Sequence, residues 1–144
     1  MLLMIRRIFN LLVNSQGLRH GVFPTSADTV AAAAVALTAN AGAWTWGVWA
    51  QIVAAAGVTA DQQITGFTIE LPVFGIADAQ GEVQVGSGAG GAEVALGTFP
   101  LVMPSYTLPK PIRVPAGTRL AARLRTSSAA ADTLAIKLLT LTGF

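Results

Sequence analysis

The amino-acid sequence predicts an all-β fold, an antiparallel sandwich or barrel of about eight short strands that follows an N-terminal arm. Apolar and polar residues alternate in several short stretches, which is the period of a half-buried strand. Glycine and proline, 15 and 7 of the 144 residues, interrupt these stretches at short intervals, as in sandwiches and barrels. Beyond residue 28 the only helical candidate is an alanine run at 31–36, which fits either one helical turn or a strand of small side chains.

Residues 1–28 form the predicted arm. Apolar side chains recur there at helical spacing over about three turns, with Arg6 and Arg7 on the opposite side, so we expect a short amphipathic helix. Gly17 and Pro24 follow and end any helix. The arm lies either on a membrane surface or on a protein partner, and the second interpretation is favoured. Its candidate contact residues are Ile5, Phe9 and Leu12.

The first β-patterned stretch, AWTWGVWAQIV, holds all three tryptophans. Its alternation predicts a half-buried strand with Trp44 and Trp46 on one face and Trp49 on the other. We expect Trp44 and Trp46 to lie in the core. Trp49 is then an exposed indole, a residue type that anchors protein interfaces and that can also stack on a sugar.

Further stretches supply the remaining strands. QITGFTIELPVF is rich in β-branched and aromatic residues, and Pro72 within it indicates a sheet edge or a strand break. GEVQVG and AEVALGTF indicate two short strands joined by glycines. Residues 100–117 contain five of the seven prolines, so we expect mostly loop with an edge strand near 112–114. DTLAIKLLTLTGF is apolar on both faces, as in a strand buried in a sandwich or at a subunit contact.

The stretch TRLAARLRTS predicts a strand with two unlike faces. Leucine and alanine occupy one face, and Arg119, Arg123 and Arg125 share the other. These arginines form either a solvated face with ion pairs to neighbouring acids or a polar contact to an acidic partner surface. Together with Trp49 they are the candidate interface residues of the β domain.

Gly86, Gly88 and Gly91 have the spacing G-x-G-x-x-G of dinucleotide-binding loops. Such a loop requires a following helix, whose N-terminus holds the pyrophosphate. Here the following residues, AEVALGTFP, alternate and reach a proline within ten positions, which predicts a strand instead. The glycines therefore indicate a flexible hairpin connection with positive φ angles, and we expect no nucleotide cofactor.

Residues that carry catalysis or bind metals are sparse. The chain has no cysteine and one histidine, His20 in the arm, and its seven acidic residues are spread singly. Glu70 follows a strand residue and pairs either with an arginine or, without further support, with a second carboxylate. We therefore expect no enzymatic activity, no cofactor and no metal site. Nine scattered basic residues at a net charge of +2 are too few for a nucleic-acid-binding surface.

The composition points to an extensive apolar contact. Only 11% of the residues are charged and the mean hydropathy is +0.60, against about 25% charged residues in typical soluble domains. Residues 29–60 are uncharged and long enough to cross a membrane. They also contain Asn40, Gln51 and several glycines, and acidic rather than basic residues flank them. We therefore expect a protein–protein interface and no membrane partner.

Four segments, taken in order, resemble small virion proteins of tailed bacteriophages. They are WTWGVWAQIVAAA, ITGFTIELP, GEVQVGSGAGGAEVALGTFP and PIRVPAGTRLAARLRTSSAAADTLAIKLLTLTGF. The resemblance covers residues 43–144, leaves the arm outside, and is to β-sandwich head decoration (cement) proteins. It implies a structural protein that stabilises a capsid through self-association, with a homotrimer favoured, and through contacts to the major capsid protein. Its location would be the capsid surface of the virion, after synthesis in the host cytoplasm.

The complete expectation is a jelly-roll-like antiparallel β-sandwich of about eight short strands in residues 29–144, behind an N-terminal arm, residues 1–28, that carries a short helix. The alternative function is a fibre or receptor-binding jelly-roll module that recognises cell-surface glycans through exposed aromatic residues.

Overall fold

A computed structural model describes residues 19–24 and 34–143. Within these ranges the chain forms nine strands and one 3₁₀ turn, Ala55–Gly57. The strands are β1 (Arg19–Phe23), β2 (Val35–Thr38), β3 (Ala50–Val53), β4 (Gln62–Val73), β5 (Gly81–Ser87), β6 (Val94–Pro100), β7 (Ser105–Val114), β8 (Leu120–Thr126) and β9 (Thr133–Thr142). The helix expected in the arm lies outside the described residues, whereas the described end of the alanine run enters strand β2.

The strands form two antiparallel sheets. One has the order β1-β9-β4-β7, with β2 paired to the other half of β9 beyond β1. The second sheet has the order β3-β8-β5-β6. Strands β2 to β9 thus divide between the two sheets in the orders β2-β9-β4-β7 and β3-β8-β5-β6, which is the arrangement of a jelly roll. The all-β, jelly-roll-like sandwich predicted from the sequence is confirmed.

The core lies between the two inner sheet faces. On β8 the predicted alternation holds, because Leu120, Ala122 and Leu124 are fully buried there. Strand β9 presents Leu134, Ile136 and Leu138 to the same layer. Both strands have neighbours on each side, so the two centres of the sheets face each other across the core. Burying each leucine or isoleucine of this layer contributes about 1.5–3 kcal/mol before the entropy of folding is subtracted.

One proline-rich segment is more ordered than the sequence predicts. Residues 100–117 were expected to be mostly loop, but β7 extends over ten residues, Ser105–Val114. Pro109 and Pro111 fall where the pairing of β7 with β4 shifts register, between Ile64 and Gly66. Because β7 is an edge strand, its prolines need not donate to a further strand.

Four of the connections between the two sheets lie at one end of the sandwich, called the loop end here: residues 39–49, 74–80, 101–104 and 127–132. Asp132, which is 2% exposed, ties three of them together. Its Oδ1 accepts a hydrogen bond from the N–H of Gly75 at 2.7 Å, and its carbonyl accepts one from Ala39 at 2.8 Å. The fourth connection is bound to strand β4, because the N–H of Ile69 donates to the carbonyl of Pro104 at 2.7 Å. Hydrogen bonds therefore fix the connections that form the loop end.

The tryptophan segment does not form the predicted strand over 44–53. Only Ala50–Val53 is a strand, and the preceding residues follow β8 irregularly. The N–H of Trp44 donates to the carbonyl of Thr126 and that of Gly47 to Leu124, at 2.6 and 2.8 Å, before Ala50 pairs with Ala122. Between these two hydrogen bonds the segment advances by three residues while β8 advances by two. The segment therefore lacks the alternation of a regular strand.

The expected burial of Trp44 and Trp46 in the core is wrong for this reason. Trp44 has a φ of 57° and is 43% exposed, while Trp46 is half-buried. A Cβ on Gly47 would lie 1.9 Å from the carbonyl oxygen of Thr38, so only glycine permits this close approach to β2.

No helix in the described ranges has the length and apolar character needed to cross a membrane.

Replacing Gly47 with alanine tests the close approach directly. We expect Gly47→Ala to lower the free energy of unfolding by about 1–3 kcal/mol, because overpacking forces the backbone of one segment to move. Urea unfolding measures the change. Gly90→Ala is the matched control, since the nearest atom to its Cβ, on Arg119, lies at 4.0 Å. Equal stability of Gly47→Ala and the wild type would contradict this packing.

Candidate interaction surface

The outer face of the four-stranded sheet carries the arginines predicted from the sequence. Because β8 buries its even-numbered residues, Arg119, Arg123 and Arg125 emerge on the opposite face. Each guanidinium has an internal partner. Arg125 donates from Nε to a carboxylate oxygen of Glu82 at 2.7 Å, and Arg123 donates from Nε and Nη2 to the side-chain oxygen of Gln84 at 2.8 and 2.6 Å.

The three indoles cover two of these arginines. The guanidinium carbon of Arg123 lies 4.3 Å from the ring centre of Trp49 and 5.0 Å from that of Trp46. That of Arg125 lies 4.4 Å from Trp46 and 5.6 Å from Trp44. We call these five residues the tryptophan–arginine stack. Each cation–π contact is worth roughly 0.5–1 kcal/mol at an exposed site, so the stack holds the irregular segment 44–49 on β8.

A row of polar contacts extends the stack across the sheet. From Arg123 it continues through Gln84, whose Nε2 donates to the hydroxyl of Thr98 on the edge strand β6 at 2.8 Å. Desolvation, followed by repulsion from Arg125, lowers the pKa of Arg123 from its ordinary value. The guanidinium remains a cation at any physiological pH, and the indoles and the side chain of Gln84 stabilise its charge.

The glycine motif has two separate structural roles. A Cβ on Gly86 would lie 2.6 Å from Cη2 of Trp49, so this glycine makes room for the indole. Gly88 and Gly91 have φ angles of 127° and 82° in the connection between β5 and β6, as the hairpin interpretation predicts. Strand β6 follows this connection, where a dinucleotide-binding loop would continue into a helix.

An ion pair closes the glycine connection onto β8. Arg119 donates from Nη1 to Glu93 at 2.8 Å and to the carbonyl of Gly88 at 3.0 Å, and from Nε to Gln51 at 2.8 Å. The second oxygen of Glu93 accepts from the N–H of Gly91 at 2.9 Å.

Desolvation of the Glu93 carboxylate opposes its ionisation. The hydrogen bond from Arg119, those from the backbone N–H groups of Glu93 and Gly91, and the charge of Arg119 outweigh this effect and lower the pKa of Glu93 below its ordinary value of 4.5. A cleft of about 400 Å³ lies beside this ion pair, lined among others by Trp49, Glu93, Arg119 and Arg123.

The structure thus brings together four of the seven interface residues predicted from the sequence: Trp49, Arg119, Arg123 and Arg125. Their contact with a partner remains a prediction. Trp49 does not lie opposite Trp46, because both indoles meet the same guanidinium group. Of the two interpretations of the arginines, ion pairs with neighbouring acids are present for Arg119 and Arg125. The other three candidates, Ile5, Phe9 and Leu12, lie outside the described residues.

A second surface, at the loop end, was not predicted from the sequence. Its large apolar side chains are exposed: Leu71 by 81%, Val102 by 67%, Val73 by 66%, Met103 by 58% and Ile76 by 53%. We call these residues, with Pro72, the apolar patch. The sequence carried one signal, which was the apolar residues on either side of Pro72 and the run PLVMP.

A groove of about 270 Å³ adjoins the apolar patch. Its lining residues carry no charge and are Ile69, Pro72, Phe74, Leu101, Val102, Met103 and Pro104. The acidic residue next to this groove in sequence, Glu70, accepts a 2.7 Å hydrogen bond from Nζ of Lys137, instead of pairing with an arginine or a second carboxylate. An apolar groove with exposed apolar side chains at its border is a candidate interaction site.

Among the described residues, no three histidine, cysteine or acidic side chains lie together as ligands of a metal ion. No protein-family model matches the chain, and no curated protein matches its sequence.

Replacing Gly86 with alanine tests whether this glycine makes room for the indole of Trp49. We expect Gly86→Ala to destabilise the protein by about 1–3 kcal/mol, because the new methyl group overlaps the indole. A double-mutant cycle with Trp49→Ala, measured by urea unfolding, separates this contact from others. The cost of Gly86→Ala should shrink when the indole is absent. Strict additivity of the two substitutions would show that Gly86 does not seat Trp49.

The Glu93–Arg119 ion pair predicts a pH-dependent stability. A carboxyl whose pKa is lowered on folding stabilises the protein above its unfolded pKa, and this contribution is lost as the pH falls through the folded pKa. Glu93→Gln should therefore be less stable than the wild type at neutral pH, and the difference should vanish well below pH 4.5.

Thermal unfolding from pH 7 to pH 3 measures this difference. In an Arg119→Leu background Glu93→Gln should change the profile far less. A difference between Glu93→Gln and the wild type that is the same at every pH would contradict the assignment.

Proposed function

We propose that the chain is a structural virion protein that decorates and stabilises the head of a tailed bacteriophage. The observation that carries this proposal is the apolar patch on a chain of which only 11% is charged. Exposing such a surface to water costs free energy in proportion to its area. This cost is removed when the surface is buried against other subunits.

The fold supports a role in a shell or in recognition. Jelly rolls occur in viral capsid proteins and in lectins, so the choice between the two candidate functions depends on the surfaces. The arginines on the outer face of the four-stranded sheet already have hydrogen-bond partners within the chain, namely Glu82, Gln84 and Glu93. The apolar patch has no comparable internal cover.

The indoles favour the structural role over glycan recognition. Stacking on a sugar needs a free aromatic face, but two guanidinium groups lie over Trp46 and one lies over Trp49. Trp44, which is 43% exposed, keeps the most free surface. The tryptophan–arginine stack therefore acts first as a clamp on segment 44–49.

In this proposal the partners are the major capsid protein and further copies of the chain, with a trimer favoured by the resemblance to decoration proteins. The place of action is the capsid surface, reached after synthesis in the host cytoplasm. No catalytic step is assigned to the chain.

Cryo-electron microscopy of phage particles assembled with and without the chain tests this function. We expect a two-sheet density on the outside of the head shell that is missing when the chain is absent. Heads without it should release their DNA at a lower temperature, because the contacts that link neighbouring capsid subunits are lost. Absence of the chain from purified particles by mass spectrometry would overturn the proposal, and density only at the fibre tips would favour receptor binding.

A further inference from the structure

We infer that the cleft beside Trp49 is a binding site for a single carboxylate group, which the guanidinium of Arg123 holds through two parallel hydrogen bonds. The inference goes beyond the proposed function and does not depend on it, because the residues that carry it lie on the outer face of the four-stranded sheet and not at the apolar patch.

Arg123 is the arginine of β8 whose hydrogen-bond partner carries no charge. The other two arginines of this face form ion pairs with acidic residues, whereas Arg123 donates to the amide oxygen of Gln84. Desolvation and, after it, repulsion from Arg125 lower the pKa of Arg123, so its contacts within the chain do not fully offset the loss of water. A bound anion would supply the missing counter-charge.

The hydrogen bonds of Arg123 leave one end of its guanidinium available. This planar group has five N–H donors in a fixed arrangement. Nε and Nη2 both donate to the same oxygen of Gln84, at 2.8 and 2.6 Å, and so occupy one side of the plane. The adjoining end, formed by Nη1 and the second hydrogen of Nη2, meets no acceptor on any residue that the structure describes. Two parallel N–H groups of this kind match the two oxygens of a carboxylate.

The guanidinium is also held in place before a ligand arrives. Its carbon lies 4.3 Å from the ring centre of Trp49 and 5.0 Å from that of Trp46, and Gln84 fixes one side. A positioned side chain loses less conformational entropy when it binds. Arg123 is therefore organised for binding by contacts that the chain makes by itself.

The cleft of about 400 Å³ gives a ligand access to Arg123, which is among its lining residues. Two other lining residues, Gly90 and Gly91, have no side chain. A Cβ on Gly91 would meet no atom within 4 Å, and one on Gly90 would meet only Arg119, at 4.0 Å. The space beside the glycine connection is therefore open to a ligand.

The charges of the cleft select a singly charged anion. Its lining contains two cations, Arg119 and Arg123, and one anion, Glu93, so its net charge is +1. Both oxygens of Glu93 already accept hydrogen bonds, from Arg119 and from the N–H of Gly91, and its side chain is 2% exposed. A doubly charged phosphate would bring unbalanced negative charge towards Glu93, and an uncharged ligand would leave the charge of Arg123 unbalanced. A carboxylate supplies one negative charge.

Such a group has two sources, a small organic acid in solution and an acidic side chain on a protein partner. Nuclear magnetic resonance of the full chain tests both, with the Nε–H of Arg123 and the indole N–H of Trp49 as reporters. Acetate represents the small acid and replaces chloride at constant ionic strength. Glutamate blocked at both its amino and carboxyl ends represents the side chain, and glutamine blocked in the same way is its uncharged control.

We expect acetate and blocked glutamate to shift both signals to saturation, and blocked glutamine to leave them unchanged. Binding of blocked glutamate at least tenfold tighter than that of acetate would assign the site to a protein side chain, and comparable binding would assign it to a small acid. Equal responses to blocked glutamate and blocked glutamine, or no saturable shift with either carboxylate, would overturn the inference.

The substitution Gln84→Glu tests the same site without removing Arg123. The new carboxylate neutralises the guanidinium from within, so acetate binding should weaken at least tenfold while the melting temperature does not fall. Arg123→Lys keeps the charge but loses the paired N–H groups, and it should weaken binding as well. Lys110→Gln is the matched control, because it changes the net charge by the same amount at an exposed position of β7 in the other sheet. Undiminished acetate binding by Gln84→Glu or by Arg123→Lys would overturn the inference.

Discussion

The structure depends on the burial of two inner sheet faces against each other, with β8 central in one sheet and β9 central in the other. Because β8 directs Leu120, Ala122 and Leu124 inward, the intervening arginines must point outward. Three cations on a small sheet face repel one another and need partners. The chain supplies those partners as Glu82 and Gln84 on the neighbouring strand β5 and as Glu93 in the connection before β6. It covers two of the guanidinium groups with indoles. The core pattern of β8 therefore determines what the outer face has to contain.

The jelly-roll order has a second consequence at the ends of the sandwich. Strands that cross between the sheets bring four connections to the loop end, where the buried residue Asp132 joins three of them through its carboxylate and its main-chain carbonyl. These connections place Ile76 near the irregular end of β4 and position Val102 and Met103 between β6 and β7. The same topology that completes the core thus leaves an apolar surface that the chain does not cover by itself. Under the proposed function, association with other subunits is what removes that surface from water.

The sequence alone predicts the parts of this molecule that depend on local pattern. Alternation on β8 correctly separates buried leucines from outward arginines, and the residues after Gly91 correctly indicate a strand instead of a helix. The remaining features depend on contacts between residues that are distant in sequence. The tryptophan segment departs from alternation because Gly47 approaches the carbonyl of Thr38, and no local pattern reports that approach. The exposure of Leu71 depends on where β7 stops pairing with β4, and prolines in β7 obscure the length of that strand.

Hydrogen–deuterium exchange measured on the assembled and the diluted protein reports which backbone amides become protected on assembly. We expect slower exchange in the assembled protein for residues 69–76 and 101–105. Exchange of residues 44–49 should stay unchanged, because the tryptophan–arginine stack already holds them in a single copy. Protection confined to residues 44–49, or identical exchange of the loop end in both states, would contradict the claim that this end is the surface covered by other subunits.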